Sequence, residues 1–310
     1  MTDPTPSISI LFRLTDGTSF SCGEIVSMNF SKNRYQPCTE MSAAVLCSRR
    51  SADIARVHLY IGSKLVHDGV FEYARREYKD GRALMHFRSR GFTVMLAQNE
   101  PVPGMNYDMD LTKLGRINTR IPNVTYQSGT DQVNYIYVKE RSTIWDAVGA
   151  YSMKAYGTQP FIYGTNTVRV TKPSAQPVAI PADRVVTCGD STDRRSMLST
   201  VCFADLDGNY PYTMTSQSAE QLGIIRQRYY PFDRQWIVET DKGMRLKLAT
   251  SARRCDASFV SYVGYSGEDL FTPFTADCGD LVISGEVHDL SVSAADGRIV
   301  TTLTDYSDTF

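Results

Sequence analysis

The chain has 310 residues, 42 % of them hydrophobic, with Lys+Arg 33 against Asp+Glu 34 and a formal net charge of −1. That apolar content is enough to bury ordinary cores and excludes a disordered chain, while the length fits about two domains. The charge balance excludes a protein whose main task is gripping duplex nucleic acid, which needs a net basic surface.

The first stretch reads as strands. Ile8, Ile10, Phe12 and Leu14 alternate onto one face, and Asp16-Gly17 supplies a two-residue hairpin turn. Val26, Met28 and Phe30 alternate again, as do Met41, Ala43, Val45 and Cys47, then Val57, Leu59 and Ile61. Gly62-Ser63 and Asp80-Gly81 are turns, and Ala83, Met85 and Phe87 form another face. Short strands at this density predict an antiparallel sandwich or barrel over residues 1–104. Phe92 and Met95-Leu96 have helical spacing, and Asn99 to Gly104, with two prolines, ends the module.

Residues 105–175 are read as a connection followed by a small α/β unit. Met105 to Asn134 is polar and irregular. From Thr143 the pattern sharpens, because Asp146 three residues on completes a capping box, with Ser142 as an alternative cap. Ile144, Ala147, Val148, Tyr151 and Ala155 share one helical face, which predicts a helix over about 143–156 ended by Gly157. Its core is assigned to Ile144, Trp145, Val148 and Tyr151. Phe161-Ile162-Tyr163 and Val168-Arg169-Val170 around Gly164-Thr165-Asn166 predict a hairpin over about 160–170. Lys172 to Pro177 reads as a linker.

Residues 176–310 are read as a second β module. A short helix fits Arg194 to Phe203. Asp207-Gly208 and Asp241-Lys242-Gly243 are turns, the second flanked by Trp236-Ile237-Val238 and by Met244, Leu246 and Leu248 in strand alternation. Leu281 to Gly285 and Val287 to Ser293 alternate, and Asp296-Gly297 turns the chain into Ile299 to Thr304. The fold class is therefore mainly β (α+β), with two antiparallel barrel or sandwich modules flanking one small α/β unit.

The residues with chemistry do not converge. His67-Asp68 and His288-Asp289 are adjacent pairs, and neighbours on a strand point to opposite faces. His58 and His86 lie in strand patterns without evident carboxylate partners. Asp205-Leu206-Asp207-Gly208-Asn209 begins like a calcium loop, but Tyr210 and Ser216 stand where an EF-hand needs glycine and glutamate. Asp108-Met109-Asp110 has no phosphate-binding glycine loop beside it. The seven cysteines are scattered, without zinc spacing, as suits reduced thiols. No catalytic, cofactor-binding or metal-binding residue is assigned, and no enzymatic activity is expected. Tyr229, Tyr230, Phe232 and Trp236 form an aromatic cluster, read as core or protein interface. No Sec signal opens the chain and no apolar run reaches membrane-spanning length, so a soluble protein folded inside a cell is expected.

Three segments taken in order carry a resemblance. The first module ends in Phe87-Arg88-Ser89-Arg90-Gly91-Phe92-Thr93-Val94-Met95-Leu96-Ala97. The second opens its helix with Ser142-Thr143-Ile144-Trp145-Asp146-Ala147 and has the strand Pro160-Phe161-Ile162-Tyr163. The third closes from Gly285-Glu286-Val287-His288 through Thr304. This order resembles the baseplate hub proteins of phage tails and of R-type bacteriocin (tailocin) particles. The resemblance implies a homotrimeric structural adapter whose six barrels form a pseudo-sixfold ring around a channel, joining a hexameric tail tube to a trimeric central spike. It implies the tube protein, the spike protein and other baseplate proteins as partners, without specific nucleic-acid binding or membrane insertion. It also implies assembly in the host bacterial cytoplasm into a virion or tailocin baseplate. The alternative is a β-sandwich glycan-binding (receptor-binding) module using the aromatics around Tyr229 and Trp236.

Overall fold

A computed structural model describes residues 7–47, 49–79, 81–117 and 120–307. The chain opens with seven strands: β1 (Ile8–Leu14), β2 (Ser19–Ser21), β3 (Ile25–Asn33), β4 (Glu40–Leu46), β5 (Ile54–Ile61), β6 (Lys64–Lys79) and β7 (Arg82–Gly91). A single 3-10 turn, Phe92–Val94, leads into helix α1 (Met95–Gln98), matching the helical spacing there. The middle region contains β8 (Gly104–Met109), α2 (Leu111–Gly115), β9 (Thr125–Tyr126), β10 (Val133–Val138), α3 (Ile144–Tyr156), β11 (Phe161–Tyr163) and β12 (Thr167–Arg169). Next come β13 (Val178–Ile180), β14 (Val185–Thr192), β15 (Thr200–Phe203), β16 (Tyr212–Thr215), α4 (Gln217–Gln221), β17 (Gln227–Tyr230) and α5 (Thr240–Ser251). The chain ends with β18 (Asp256–Val263), β19 (Pro273–Asp277), β20 (Val282–Glu286), β21 (Asp289–Ala295) and β22 (Arg298–Ser307). Among the described residues no helix is long and apolar enough to cross a membrane.

The fold is mainly β, dominated by one antiparallel sheet of eleven strands in the order β14-β18-β22-β21-β3-β4-β7-β6-β5-β1-β2. No closed barrel forms among the described residues, because the sheet ends in two free edges, β14 and β2. The sequence expectation of separate barrels is corrected at one point: β21 pairs with β3 from Asp289↔Asn33 to Ala295↔Ser27. That pairing fuses N- and C-terminal strands edge to edge. One apolar core consequently runs under both, with Phe12, Phe30, Val57, Met85 and Phe87 from one side and Val260, Val292 and Leu303 from the other. The small sheet β13-β19-β20 supplies Ile180, Phe274, Ala276 and Ile283 to the same core.

Helix α3 starts and stops as its sequence dictates. Thr143 Oγ1 accepts from Asp146 N–H at 3.1 Å, Asp146 Oδ2 accepts from Thr143 N–H at 2.8 Å, and Gly157 adopts φ 66. Ile144, Val148 and Tyr151 are fully buried, and Trp145 is half-buried at the rim of the same cluster. The described residues between 105 and 134 are more ordered than their polarity predicts. Met109, Leu111, Leu114 and Ile121 are buried with α3, and Asp110 caps α2 by accepting from Lys113 N–H at 2.8 Å.

Residues 193–255 depart furthest from the strand expectation. Thr200–Phe203 is a strand, where a short helix was expected. The stretch expected as two strands about Asp241-Lys242-Gly243 is a 3-10 turn, Arg234–Trp236, followed by helix α5. Met244 and Leu248, four residues apart, are buried, and Leu246 is only half-buried, so helical spacing prevails over alternation. Gly243 lies inside this helix because a Cβ there would meet the Trp236 ring at 2.6 Å.

Candidate functional site

His58, His67 and His288 occupy structural networks, whereas His86 is exposed on β7. His67 is buried, with Nδ1 2.8 Å from Thr39 Oγ1 and Nε2 2.8 Å from Ser89 Oγ. Burial pushes its pKa down to about 3, so the ring is neutral. Asp68 points to the opposite face, as strand geometry requires, and accepts from Arg56 Nε and Nη2 at 2.5 Å each. Burial pushes that carboxyl up, but hydrogen bonds from His58 and Arg56 and the Arg56 charge outweigh it and hold it at about 2. β6 is an interior strand, paired on both sides by β7 and β5, so His67-Asp68 lies away from the sheet edges. His58 Nε2 lies 3.2 Å from Asp68 Oδ1, a partner the sequence did not reveal. A β-bulge between Leu59 and Tyr60 creates it, since an unbroken hairpin would set His58 opposite His67. His288 Nδ1, in the bend before β21, lies 2.9 Å from Asp305 Oδ1 on β22. Among the described residues no group of three His, Cys, Asp or Glu side chains is placed to hold a metal ion.

The predicted aromatics divide. Trp236 is only 4 % exposed and packs with Phe203, Met244 and Leu248, so it belongs to a core. Tyr230 is half-buried against the Phe203 ring at 5.5 Å, and Phe232 is half-buried. Tyr229 alone is well exposed, at 59 %, and meets the Tyr210 ring edge-on at 5.0 Å rather than forming a flat stacking platform.

The outer face of the eleven-stranded sheet has no counterpart in the sequence reading. Strand alternation turns Phe30, Val292 and Leu303 into the core and leaves small polar residues on the other side. The registers then align these residues into rows. One row runs Thr187, Ser261, Thr302, Ser291, Ser31, Glu40 and Arg90 across β14, β18, β22, β21, β3, β4 and β7. The next runs Val300, Ser293, Asn29, Ser42, Arg88 and Tyr73, ending on β6. Both rows cross the β21–β3 junction without interruption. Ser261 Oγ lies 2.8 Å from Thr302 Oγ1, and Ser291 Oγ donates to Asn29 Oδ1 at 3.4 Å. Over β3, β4, β7 and β6 the face is a concave trough of about 790 Å³ lined by Asn29, Ser31, Ser42, Arg88 and the Arg90–Glu72 pair. Short hydroxyls predominate on β14, β18, β22, β21 and β3, and at the trough Glu40 and Glu72 offset Arg88 and Arg90, so the face has low net charge.

A buried polar joint fixes the sheet to the middle region. Lys32, 2 % exposed on β3, donates to Gly164 O at 2.7 Å in the β11–β12 turn and also to Asp269. Asp269 Oδ2 in turn accepts from Gly164 N–H at 2.8 Å. Three segments far apart in sequence thus share one ion pair.

The free edges differ. β2 has three residues, whereas β14 has eight, with one charged side chain, Asp190, and no proline. A long edge blunted by only one charge and no proline is a template for pairing with another chain.

No protein-family model and no curated protein sequence matches the chain. Its fold is similar to that of the 43 kDa tail protein of prophage MuSo2 from Shewanella oneidensis, with TM-score 0.73 and 12 % identity over 97 % of this chain and 99 % of that one. A tail protein from Neisseria meningitidis MC58 is similar to the same degree, with TM-score 0.73 and 12 % identity over 97 % of this chain and 96 % of that one. The E. coli c3393 protein, a component of the type VI secretion system with structural similarity to T4 bacteriophage tail proteins, matches at TM-score 0.57 and 8 % identity, over 92 % of this chain and 74 % of that one. At these identities the likeness is one of fold.

Proposed function

We propose that this chain is a structural baseplate hub of a phage tail or tailocin, a homotrimer that joins a hexameric tail tube to a trimeric spike and catalyses no reaction. The observation that carries the reading is the shared fold with a prophage tail protein over nearly the whole of both chains. Residues 1–104 and 176–310 would serve as two related β modules, with 105–175 holding their spacing and Ile144, Trp145, Val148 and Tyr151 anchoring its helix. Three copies would then present six modules, enough to match a sixfold tube. The unlike edges β14 and β2 favour head-to-tail pairing, a heterologous contact that makes a ring of three when each copy is turned by one third of a circle. The Ser, Thr and Asn residues of the rows on β18, β22, β21 and β3, with Glu40 and Glu72 offsetting Arg88 and Arg90 beyond them, suit the wall of a central channel, since a face of low net charge neither clamps nor repels what passes. Partners would be the tube protein, the spike protein and other baseplate proteins, assembled in the host bacterial cytoplasm.

Light scattering on the purified protein, with imaging of the particles, tests this. A three-subunit mass and rings with a central hole are expected. A stable monomer at high concentration, both alone and mixed with the spike, would refute the proposal.

A further inference from the structure

A cleft of about 490 Å³ opens between the end of β10, the start of α3 and helix α5, away from the polar sheet face. Its hydrogen-bonding groups are unbalanced. Gln235, 3 % exposed, uses Oε1 to accept from Tyr137 N–H at 2.7 Å, which fixes the amide orientation and leaves Nε2 as a pure donor. That Nε2 is buried with no acceptor among the described residues, and so is Nε2 of Gln159 on the same cleft. Lys247 lies over the Tyr230 ring at 4.9 Å and reaches no carboxylate or carbonyl among the described residues.

The cleft's own acids are already engaged. Asp146 accepts from both the N–H and the hydroxyl of Thr143, and Asp233 accepts from Gln235 N–H and from Lys139. Burial and the neighbouring Lys139 charge hold the Lys247 ammonium below the ordinary lysine range, with Asp233 opposing, so an added anion would relieve it. Trp145 and Tyr137 supply apolar wall. The cleft therefore has donors and positive charge in excess and acceptors in deficit.

We propose that this cleft binds an extended acidic peptide segment of a partner protein, with a carboxylate at Lys247 and backbone carbonyls at the Gln235 and Gln159 amides. The inference is independent of the hub reading and of oligomeric state. With Lys139 already paired to Asp233, the cleft offers few cations to follow a backbone charged at every step, which favours a peptide over a nucleic acid.

The test is a titration of the full-length protein with hexaglutamate, followed by tryptophan fluorescence and calorimetry, with hexalysine and a short oligothymidylate as comparison probes. Saturable hexaglutamate binding is expected, weakened at least tenfold by Lys247→Glu and retained in Lys247→Arg. Trp145→Phe should remove most of the fluorescence change while the calorimetric affinity stays within about twofold. Where Lys247→Glu alters the circular dichroism, Lys247→Gln replaces it, with weakening of about tenfold expected. No hexaglutamate binding, equal binding of hexalysine, oligothymidylate binding as tight as hexaglutamate, or an affinity unchanged in the charge variants would overturn the proposal.

Discussion

Replacing Lys32 with Met tests whether the sheet and the middle region are held by the buried joint. Met keeps most of the aliphatic stem and removes the ammonium. Asp269, whose side chain is 11 % exposed, would keep its bonds from Gly164 N–H at 2.8 Å and Leu270 N–H at 2.7 Å but lose its counter-ion. Burial already pushes the Lys32 pKa down while Asp269 opposes it, so each charge depends on the other. Removing one partner of a buried pair costs about 3–5 kcal/mol, mostly as the uncompensated remaining charge. The Gly164 carbonyl loses its donor as well, which places the expected value in the upper half of that range. Urea unfolding followed by circular dichroism measures it, and hydrogen exchange at the Gly164 amide reports on the joint itself. Lys32→Met with Asp269→Asn removes both charges and should recover at least about 1.5 kcal/mol, because residues in contact are not additive. A loss below about 1 kcal/mol in Lys32→Met, or additivity in the double variant, would show that the joint does not hold the two regions.

Acid sensitivity should come first from His67. Its folded pKa of about 3 lies below the unfolded value near 6.5, so the unfolded chain binds the extra proton and stability falls as pH drops through that interval. The full shift corresponds to about 5 kcal/mol as an upper value. Asp68, at about 2 in the folded chain, stabilises above the unfolded carboxylate pKa and loses that contribution only at lower pH. Urea midpoints at pH 7, 5.5 and 4.5 should therefore fall for the wild type and fall much less for His67→Gln; parallel curves would exclude this origin. Trp236→Ala should cost about 3–5 kcal/mol by emptying the cluster of Phe203, Met244 and Leu248, whereas exposed Tyr229→Ala should stay within about 0.5 kcal/mol in the same unfolding assay. Equal effects of the two would contradict the placement of Trp236 in the core.

What the sequence revealed and what it hid separate by the range of the interaction. Thr143, Asp146 and Gly157 act within a few residues of one another, so the ends of α3 were readable without any tertiary knowledge. Strand alternation in Ile8–Leu14 and the turn at Asp296-Gly297 are local in the same sense. Helix α5 was misread because Met244, Leu246 and Leu248 satisfy a period of two as well as a spacing of four. The deciding contact, Trp236 against Gly243, exists only once the chain has packed. The Asp68–His58 contact depended on a single bulge, and a bulge leaves no local signature.

The sheet face is the extreme case of this rule. Ser31 and Ser291 are 260 positions apart, yet they stand opposite each other because β3 and β21 pair in one register. A slip of one residue at that pairing would turn either Phe30 or Val292 onto the wet face, so the buried core enforces the polar row. Serine and threonine read singly along the chain have no periodic meaning beyond their place on a strand. Their significance arises when four or five strands bring them into line across a junction the sequence does not announce. A structural role of the kind proposed here is therefore written in registers between distant strands and carries no motif, whereas an active site usually leaves at least one local trace.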